Sequence, residues 1–221
     1  MRVLTLLIVS ILPGLLWIYF FYRQDKYEAE PFILILKSFF LGAAAVIPAG
    51  LIEFPFSNLI ATTDNLLMLL ILSIFVIGLV EEVLKIGVVY LFIYPLAEFN
   101  EVMDGVIYGI SAGLGFAVIE NLFYTMVFGY QVGVMRAFIT TVVHASFSGI
   151  AGYYLGLAKE TGERRLIAIG LIQAVLLHGI YDFLIISELL PTAAILGLVI
   201  VFYLYLARLI RRAQELSPFK P

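Results

Sequence analysis

Three ionisable side chains stand together inside an otherwise apolar stretch of this sequence. The segment VEEVLKIGVVY, residues 80–90, places Glu81 and Glu82 side by side and Lys85 one helical turn later. A charge at the centre of a bilayer helix costs roughly 2.5–3.5 kcal/mol, so two unpaired ionised glutamates could cost about 5–7 kcal/mol. That cost indicates a function, because a poorly solvated carboxylate can act as a general base on water.

The other polar groups within apolar runs include both histidines of the chain. His178 and Asp182 are four residues apart, so they share one helix face, and an imidazole can stabilise an oxyanion or return a proton to a leaving amine. Asp182 is predicted to orient His178. The predicted catalytic group is Glu81, Glu82, Glu120, His144, His178 and Asp182, with Lys85, Asn121 and Phe116 in structural or orienting roles.

The composition identifies the kind of protein that positions these groups. Hydrophobic residues make up 63% of the 221 residues and charged residues only 13%, which is typical of a membrane protein. The net charge of -3 gives no sign of a nucleic-acid partner, and the lack of cysteine excludes disulfides and thiolate chemistry. Catalysis would have to use carboxylates, imidazoles or hydroxyls.

Apolar runs of about 20 residues predict an all-α polytopic fold, a single integral-membrane domain over residues 1–221. We read the first run as a retained helix, because it is long for a signal peptide and lacks a small-residue cleavage site. The third is the longest, and Pro95 should end it. The seven predicted transmembrane helices are 3–22, 32–54, 66–94, 105–128, 134–158, 166–187 and 191–210.

The basic residues predict how the protein lies in the cell membrane. Ten lysines and arginines fall on one side of the seven runs, while Arg2 and Arg136 fall on the other, which predicts an outside N-terminus and a cytoplasmic C-terminus. Counting 1.5 Å per residue, Glu120, His144 and His178 lie roughly 12–15 Å from the outer surface. The two adjacent glutamates come out at roughly 23 Å, although tilt would bring them nearer.

Several motifs resemble those of a known protease superfamily. EEVLK at 81–85 is similar to the Glu-Glu-x-x-x-Arg/Lys motif of the superfamily that includes the type II CAAX prenyl endopeptidases, and FAVIEN, HASFS and HGIYD are similar to its later motifs. Within that superfamily the chain resembles the PrsW family over nearly its whole length, including KSFFLG at 37–42 and DGVIYGISAGLGFAVIENLFY at 104–124.

The resemblance implies an intramembrane endopeptidase with Glu81 and Glu82 as its essential pair. Its expected substrate is a single-span membrane anti-sigma factor, cut first on the extracytoplasmic side so that a sigma factor becomes active. Two positions depart from the prenyl-protease pattern, since Lys85 replaces the usual arginine and Glu120 stands where those enzymes have a histidine. A lysine lacks the bidentate geometry of arginine, so mechanistic detail does not transfer directly.

The need for a metal ion stays open at the sequence level. Zinc could be held by Glu81, Glu120, His144 and His178, but the sequence has no helical His-Glu-x-x-His, so we favour metal-free glutamate catalysis. Two other functions compete with a peptidase. One is a proton- or cation-coupled transporter using the buried acidic and histidine groups, although no internal repeat supports it, and the other is a non-catalytic membrane scaffold.

Overall fold

The computed structural model describes residues 2–221, with the side chains of residue 5 and residues 8–221. Over these residues the chain is helical and has no β-strand, which confirms the predicted all-α architecture. The α-helices are α1 (Arg2–Tyr22), α2 (Phe32–Glu53), α3 (Ser57–Thr62), α4 (Leu66–Leu72), α5 (Leu79–Phe92), α6 (Val102–Phe128), α7 (Tyr130–Thr161), α8 (Arg165–Ile186) and α9 (Thr192–Leu216).

Six continuous helical stretches of the described residues are long and apolar enough to cross a membrane, and a shorter apolar stretch, Ile8–Tyr22, lies in α1. The chain is therefore a multi-pass membrane protein. The six stretches are Phe32–Thr62, Leu66–Phe92, Val102–Phe128, Tyr130–Thr161, Arg165–Ile186 and Thr192–Leu216.

The helix boundaries differ from the predicted runs mainly at the connectors. A 3₁₀ turn, Phe54–Phe56, and then α3 continue α2 into the segment predicted to be a connector, because Pro55 at the start of a turn is compatible with helical backbone. At the other end of the chain, α9 runs beyond residue 210 to Leu216 because RRAQEL contains good helix formers.

The long third run is one continuous helix with a change of winding in its middle. Asn65 Oδ1 caps α4 by accepting hydrogen bonds from two backbone N–H groups, and the π-helix Ser73–Gly78 then leads into α5. Gly78 and Gly179 lie where the π-helix meets α8, and a β-carbon on either would crowd the backbone of the opposing helix. A π-helical turn inside an α-helix is frequently found at a functional site.

The centre of the bundle is the hairpin of α6 and α7, joined by Gly129 alone, whose φ of 90° suits glycine. Between residues 102 and 118 every side-chain position of α6 is buried. A β-carbon at Gly105 would overlap the carbonyl oxygen of Gly152, so the two backbones are in direct contact. Glycines in α6 thus permit the two helices to pack closely.

A second polar cluster lies at the end of the helix bundle where the C-terminus of the chain is found. Tyr108 donates a hydrogen bond to Glu30, and Asp104 accepts hydrogen bonds from the backbone of Asn100 at 2.5 Å and Glu101 at 2.8 Å. These contacts join the α1–α2 connection to the start of α6. We call Asp25, Glu30, Glu101 and Asp104 the carboxyl cluster, and the end of the bundle that holds it the C-terminal face.

Candidate active site

The paired glutamates lie in the first turn of α5, directly after the π-helix. Lys85 Nζ is 2.6 Å from Glu82 Oε1 and 3.1 Å from Glu81 Oε2, so one ammonium group bridges both carboxylates. All three side chains are buried. A buried ion pair needs such close geometry, because mutual attraction has to offset the lost hydration of each charge.

Glu82 is held from three sides and has no exposed surface. Besides Lys85, it has His178 Nδ1 2.8 Å from its Oε1, and the hydroxyl of Ser148 donates to its Oε2 at 3.2 Å. A carboxylate with this many partners and no exposure is closed to a substrate. The contacts make Glu82 the residue that ties α5 to α7 and α8 and orients His178.

Glu81 instead faces the space between the two imidazoles. Its Oε2 is 3.8 Å from His144 Nδ1 and 3.7 Å from His178 Nε2. Both distances are too long for hydrogen bonds. The three atoms therefore surround a point where a small group could contact all of them.

Each imidazole is oriented by charged neighbours. His144 Nδ1 is 3.0 Å from Lys85 Nζ, and because an ammonium only donates, this nitrogen accepts and the proton is on Nε2, 2.9 Å from Glu120 Oε2. His178 has a carboxylate beside each ring nitrogen, with Asp182 Oδ2 3.2 Å from its Nε2. The predicted pairing of His178 with Asp182 is thus present in the structure.

The aromatic side chains around the imidazoles restrict their movement. The ring of Phe116 stacks on His144 with the centroids 5.8 Å apart, and Lys85 Nζ lies 4.6 Å from the centroid of the same phenyl ring. Phe147 lies against His178, with 5.4 Å between the ring centroids. Phe116, for which the sequence predicts a structural or orienting role, therefore contacts both His144 and Lys85.

Arg136 belongs to the site, although the sequence analysis treated it only as a charge that sets orientation. Its Nη2 is 2.9 Å from Glu120 Oε1, and its Nε donates to Asn121 Oδ1 at 3.2 Å. The guanidinium also lies 3.6 Å from the centroid of the Tyr124 ring. The position of Arg136 near the end of a predicted run could have indicated this role. A long charged side chain at such a position can extend into the helix bundle as readily as into water.

Glu53 and Ser148 are two further residues that sequence reasoning left out of the site. Glu53, the last residue of α2, has Glu81, Glu120 and Asp182 as electrostatic neighbours. The hydroxyl of Ser148 contacts Glu82, as described above. Ser148 follows His144 by four residues, which places it on the same helix face and was a usable signal.

We call the charged and polar residues of this site the active-site cluster: Glu53, Glu81, Glu82, Lys85, Glu120, Arg136, His144, Ser148, His178 and Asp182. The cluster has a closed interior and a more open side. Glu81, Glu82 and Lys85 are at most 4% exposed in their side chains, whereas Glu120, Arg136 and Asp182 are 18–20% exposed. The open side lies toward the end of the bundle away from the C-terminal face, because Glu53 ends α2 there and Arg136 lies in the second turn of α7. A substrate segment would therefore enter past Glu120 and Asp182.

Three residues of the cluster fit a divalent metal ion. A carboxylate oxygen of Glu81 and one nitrogen from each of His144 and His178 lie within 4.8 Å of one another. Two imidazoles and one carboxylate are a common zinc donor set, and the carboxylates behind the two rings would orient them as ligands. Glu120, predicted as a fourth ligand, stands beside the other ring nitrogen of His144.

The comparison with known families decides the class of protein. The model of the "PrsW family intramembrane metalloprotease" matches residues 30–208, which is most of the chain. The chain belongs to the PrsW family. The match includes every residue of the active-site cluster, and the PrsW resemblance of the motifs is thereby confirmed.

Curated relatives extend this result to individual proteins. Protease PrsW of Bacillus subtilis (strain 168) is 34% identical over 179 residues, covering 80% of each chain. Protease PrsW of Geobacillus kaustophilus (strain HTA426) is 33% identical over 83% of this chain and 81% of that one. Protease PrsW of Oceanobacillus iheyensis is 33% identical over 96% of this chain and 97% of the relative. No solved structure matches this chain.

Membership in the PrsW family bears directly on the competing functions. Its relatives are named as proteases, so a peptidase is supported over the transporter and the scaffold that the sequence left open. The substrate of such an enzyme is a protein in the membrane. The family's description as a metalloprotease and the buried group of Glu81, His144 and His178 both allow a metal ion at this site.

Proposed function

We propose that this protein is an intramembrane endopeptidase in which Glu81 and the two imidazoles activate a water molecule. The observation that carries the proposal is the triangle formed by Glu81 Oε2, His144 Nδ1 and His178 Nε2, with edges to the carboxylate of 3.7 and 3.8 Å. A water molecule lying over the face of this triangle, within hydrogen-bond distance of its corners, would contact a carboxylate that can take its proton. Glu82 and Lys85 then serve as positioning residues.

The remaining groups of the cluster complete the proposed reaction. The open side brings the substrate carbonyl past Arg136, and the imidazolium of His178 faces the position where negative charge develops on that carbonyl. Asp182 keeps the His178 ring in place, and Glu120 does the same for His144. When the amide bond breaks, an imidazole supplies the proton that the leaving amine requires.

A divalent metal ion such as zinc would be held by Glu81, His144 and His178. It would lower the pKa of a water molecule in the same triangle and polarise the carbonyl. Lys85 lies 3.1 Å from Glu81 and 3.0 Å from His144, so its ammonium would have to turn toward Glu82 alone. The donor set therefore serves either catalytic type, and removal of metal distinguishes them.

The substrate we propose is a single-span membrane anti-sigma factor, as the motifs imply. The first cut would fall on its extracytoplasmic side, which starts the proteolysis that activates a sigma factor. The excess of lysine and arginine at the C-terminal face supports a cytoplasmic position for that face. The open side of the site would then lie toward the outside of the cell.

The deciding experiment combines purified protein with a purified single-span anti-sigma factor in liposomes. We expect wild type to release a fragment with a new amino terminus, identified by sequencing, and Glu81→Gln to slow cleavage by about 10²–10⁴-fold. Size-exclusion chromatography would check that the variant remains folded. Undiminished cleavage by Glu81→Gln would remove this carboxylate from the mechanism.

A chelator separates the two catalytic types in the same assay. Loss of cleavage after chelation, with recovery on adding zinc, would assign Glu81 and the two imidazoles as metal ligands. Cleavage that survives exhaustive chelation would instead make Glu81 the direct base.

The orientation of the protein in the membrane can be tested in cells, because the chain has no cysteine and single cysteines can be introduced for labelling. A cysteine at Glu188 should react with an impermeant maleimide in intact cells, and one at Glu215 only after permeabilisation.

A further inference from the structure

Glu53 is a carboxylate at the open side of the site that the proposed reaction does not use. It ends α2, next to the 3₁₀ turn Phe54–Phe56, and its side chain is partly exposed. Its Oε1 atom is shielded from solvent and has no hydrogen-bond partner among the described residues. An unpartnered buried oxygen is costly, so it indicates a ligand that the isolated chain does not supply.

The packing of α2 directs Glu53 toward the cluster. Ala45, Val46 and Ala49 form a buried group with Phe116 of α6, and Val80 and Ile119 pack against it. Residues 46, 49 and 53 follow the three- and four-residue spacing of one helix face. Glu53 therefore continues this face by one turn, beside the helices that carry Glu81 and Glu120.

The charges around Glu53 determine which ligand suits it. Its strongest electrostatic neighbours are Glu81, Glu120, His178 and Asp182, of which three are carboxylates. Lys85 is enclosed between the paired glutamates, and Arg136 is paired with Glu120. With three carboxylates near it, Glu53 lies in a negative environment that favours a positively charged partner. A backbone N–H group of a substrate would not supply that charge.

We propose that Glu53 is a specificity-determining residue that pairs with a lysine or arginine side chain of the substrate, close to the bond that is cut. This inference rests on the proposed function and adds a preference to it. Basic side chains near the end of a membrane helix extend toward the interface, with the stem along apolar surface. Glu53 ends α2 at the open side of the site, just before the 3₁₀ turn, where such a charged group could reach it.

The test uses three fluorescent single-span peptides that differ only in lysine, glutamine or glutamate at one position of the extracytoplasmic flank, with that position scanned along the flank. Binding is measured by fluorescence anisotropy to Glu81→Gln in liposomes, so that peptide remains intact. At the best position we expect lysine to bind about five- to tenfold more tightly than glutamine. Adding Glu53→Gln should reduce that ratio to about one to two, and Glu53→Lys should favour the glutamate peptide.

A matched control removes an exposed carboxylate near the same end of the bundle. Asp64→Asn changes the net charge by the same amount, and it should leave the lysine preference unchanged. A preference that survives Glu53→Gln, disappears equally in Asp64→Asn, or is absent at every position would overturn the inference. Because binding is read without turnover, failure of wild type to cleave would count against the proposed function and not against the role of Glu53.

Discussion

The active-site cluster and the carboxyl cluster both gather buried acidic groups, but they neutralise them differently. In the active-site cluster, Lys85 bridges two glutamates and Arg136 pairs with Glu120. In the carboxyl cluster, the main electrostatic neighbours of Asp25 and Glu30 are other carboxylates, and Glu30 shares hydrogen bonds with Tyr108 and Asp104. Cationic side chains offset the negative charge of the active-site cluster, whereas bound protons neutralise the carboxylates of the carboxyl cluster.

The pKa values on the C-terminal face express this difference. Burial raises the pKa of Asp25 from 3.8 to about 7 and that of Glu101 from 4.5 to about 7, with nearby carboxylates adding to both shifts. Burial and the contacts with Asp104 raise the pKa of Glu30 to about 10. The comparison teaches that two buried acid clusters in one bundle can be neutralised in different ways, by cationic side chains or by bound protons.

The largest expected effect comes from removing the cation of the active-site cluster. Lys85→Met leaves Glu81 and Glu82 buried without a counter-ion, and such a loss typically destabilises a protein by about 3–5 kcal/mol. The matched variant is Lys159→Met, whose ammonium donates only to the carbonyls of Tyr94 and Leu96 and should cost about 1–2 kcal/mol. Thermal unfolding in detergent measures both. Equal losses would show that the two regions do not differ as described.

A smaller effect is expected from Glu120→Gln, which keeps the shape of the side chain and removes its charge. The change weakens the contacts with His144 and Arg136, and loss of such an orienting carboxylate typically reduces activity by about 10–100-fold. Single-turnover cleavage of the anti-sigma substrate provides the rate. The control is Glu101→Gln in the carboxyl cluster, which should cleave at the wild-type rate. A slow Glu101→Gln enzyme would mean that the C-terminal face takes part in turnover.

The smallest effect concerns stability against pH. Asp25, Glu30 and Glu101 hold their protons more tightly in the folded chain than in the unfolded chain. Their contribution to stability is therefore complete below pH 4 or so and is lost as the pH rises, through about 7 for Asp25 and Glu101 and about 10 for Glu30. The melting temperature should fall from about pH 5 to about pH 9, most steeply below about pH 7, measured in one detergent at constant ionic strength.

The double variant Asp25→Asn/Glu101→Gln should flatten the steep part of that decline below about pH 7, because amides do not titrate, and it should leave the part due to Glu30. A wild-type melting temperature that rises over the same range would contradict the proton-bound description of the carboxyl cluster. A decline that the double variant leaves unchanged would move the titrating groups elsewhere in the molecule.

Much of the architecture could be predicted because membrane insertion leaves strong marks on a sequence. Apolar length identified the helical runs, and the cost of burying charge singled out Glu81, Glu82, His144 and His178, which the structure brings together. Counting residues set the paired glutamates roughly 8–11 Å deeper than Glu120, His144 and His178. Their convergence depends on how the helices are placed relative to one another, and residue counts within single helices do not contain that information.

The residues that were missed share a physical feature. Arg136 and Glu53 lie near the ends of predicted runs, where a hydropathy profile predicts that a charged side chain is in water. Both side chains instead lie toward the active-site cluster. Ser148 interacts through a hydroxyl that a hydropathy profile hardly registers. The π-helix was equally invisible, because its winding reflects packing against α8 and not the pattern of its own apolar residues.

The direct backbone contact between α6 and α7 has a consequence for how a substrate could reach the water-activating residues. Gly105 and Gly152 leave no side chains between these helices that could change rotamer, so the hairpin has no soft layer along which it could slide. We expect Glu120 and His144, one on each helix, to keep a constant separation for that reason. An opening for an incoming peptide would therefore form by outward movement of the surrounding helices, while the α6–α7 hairpin stays in place.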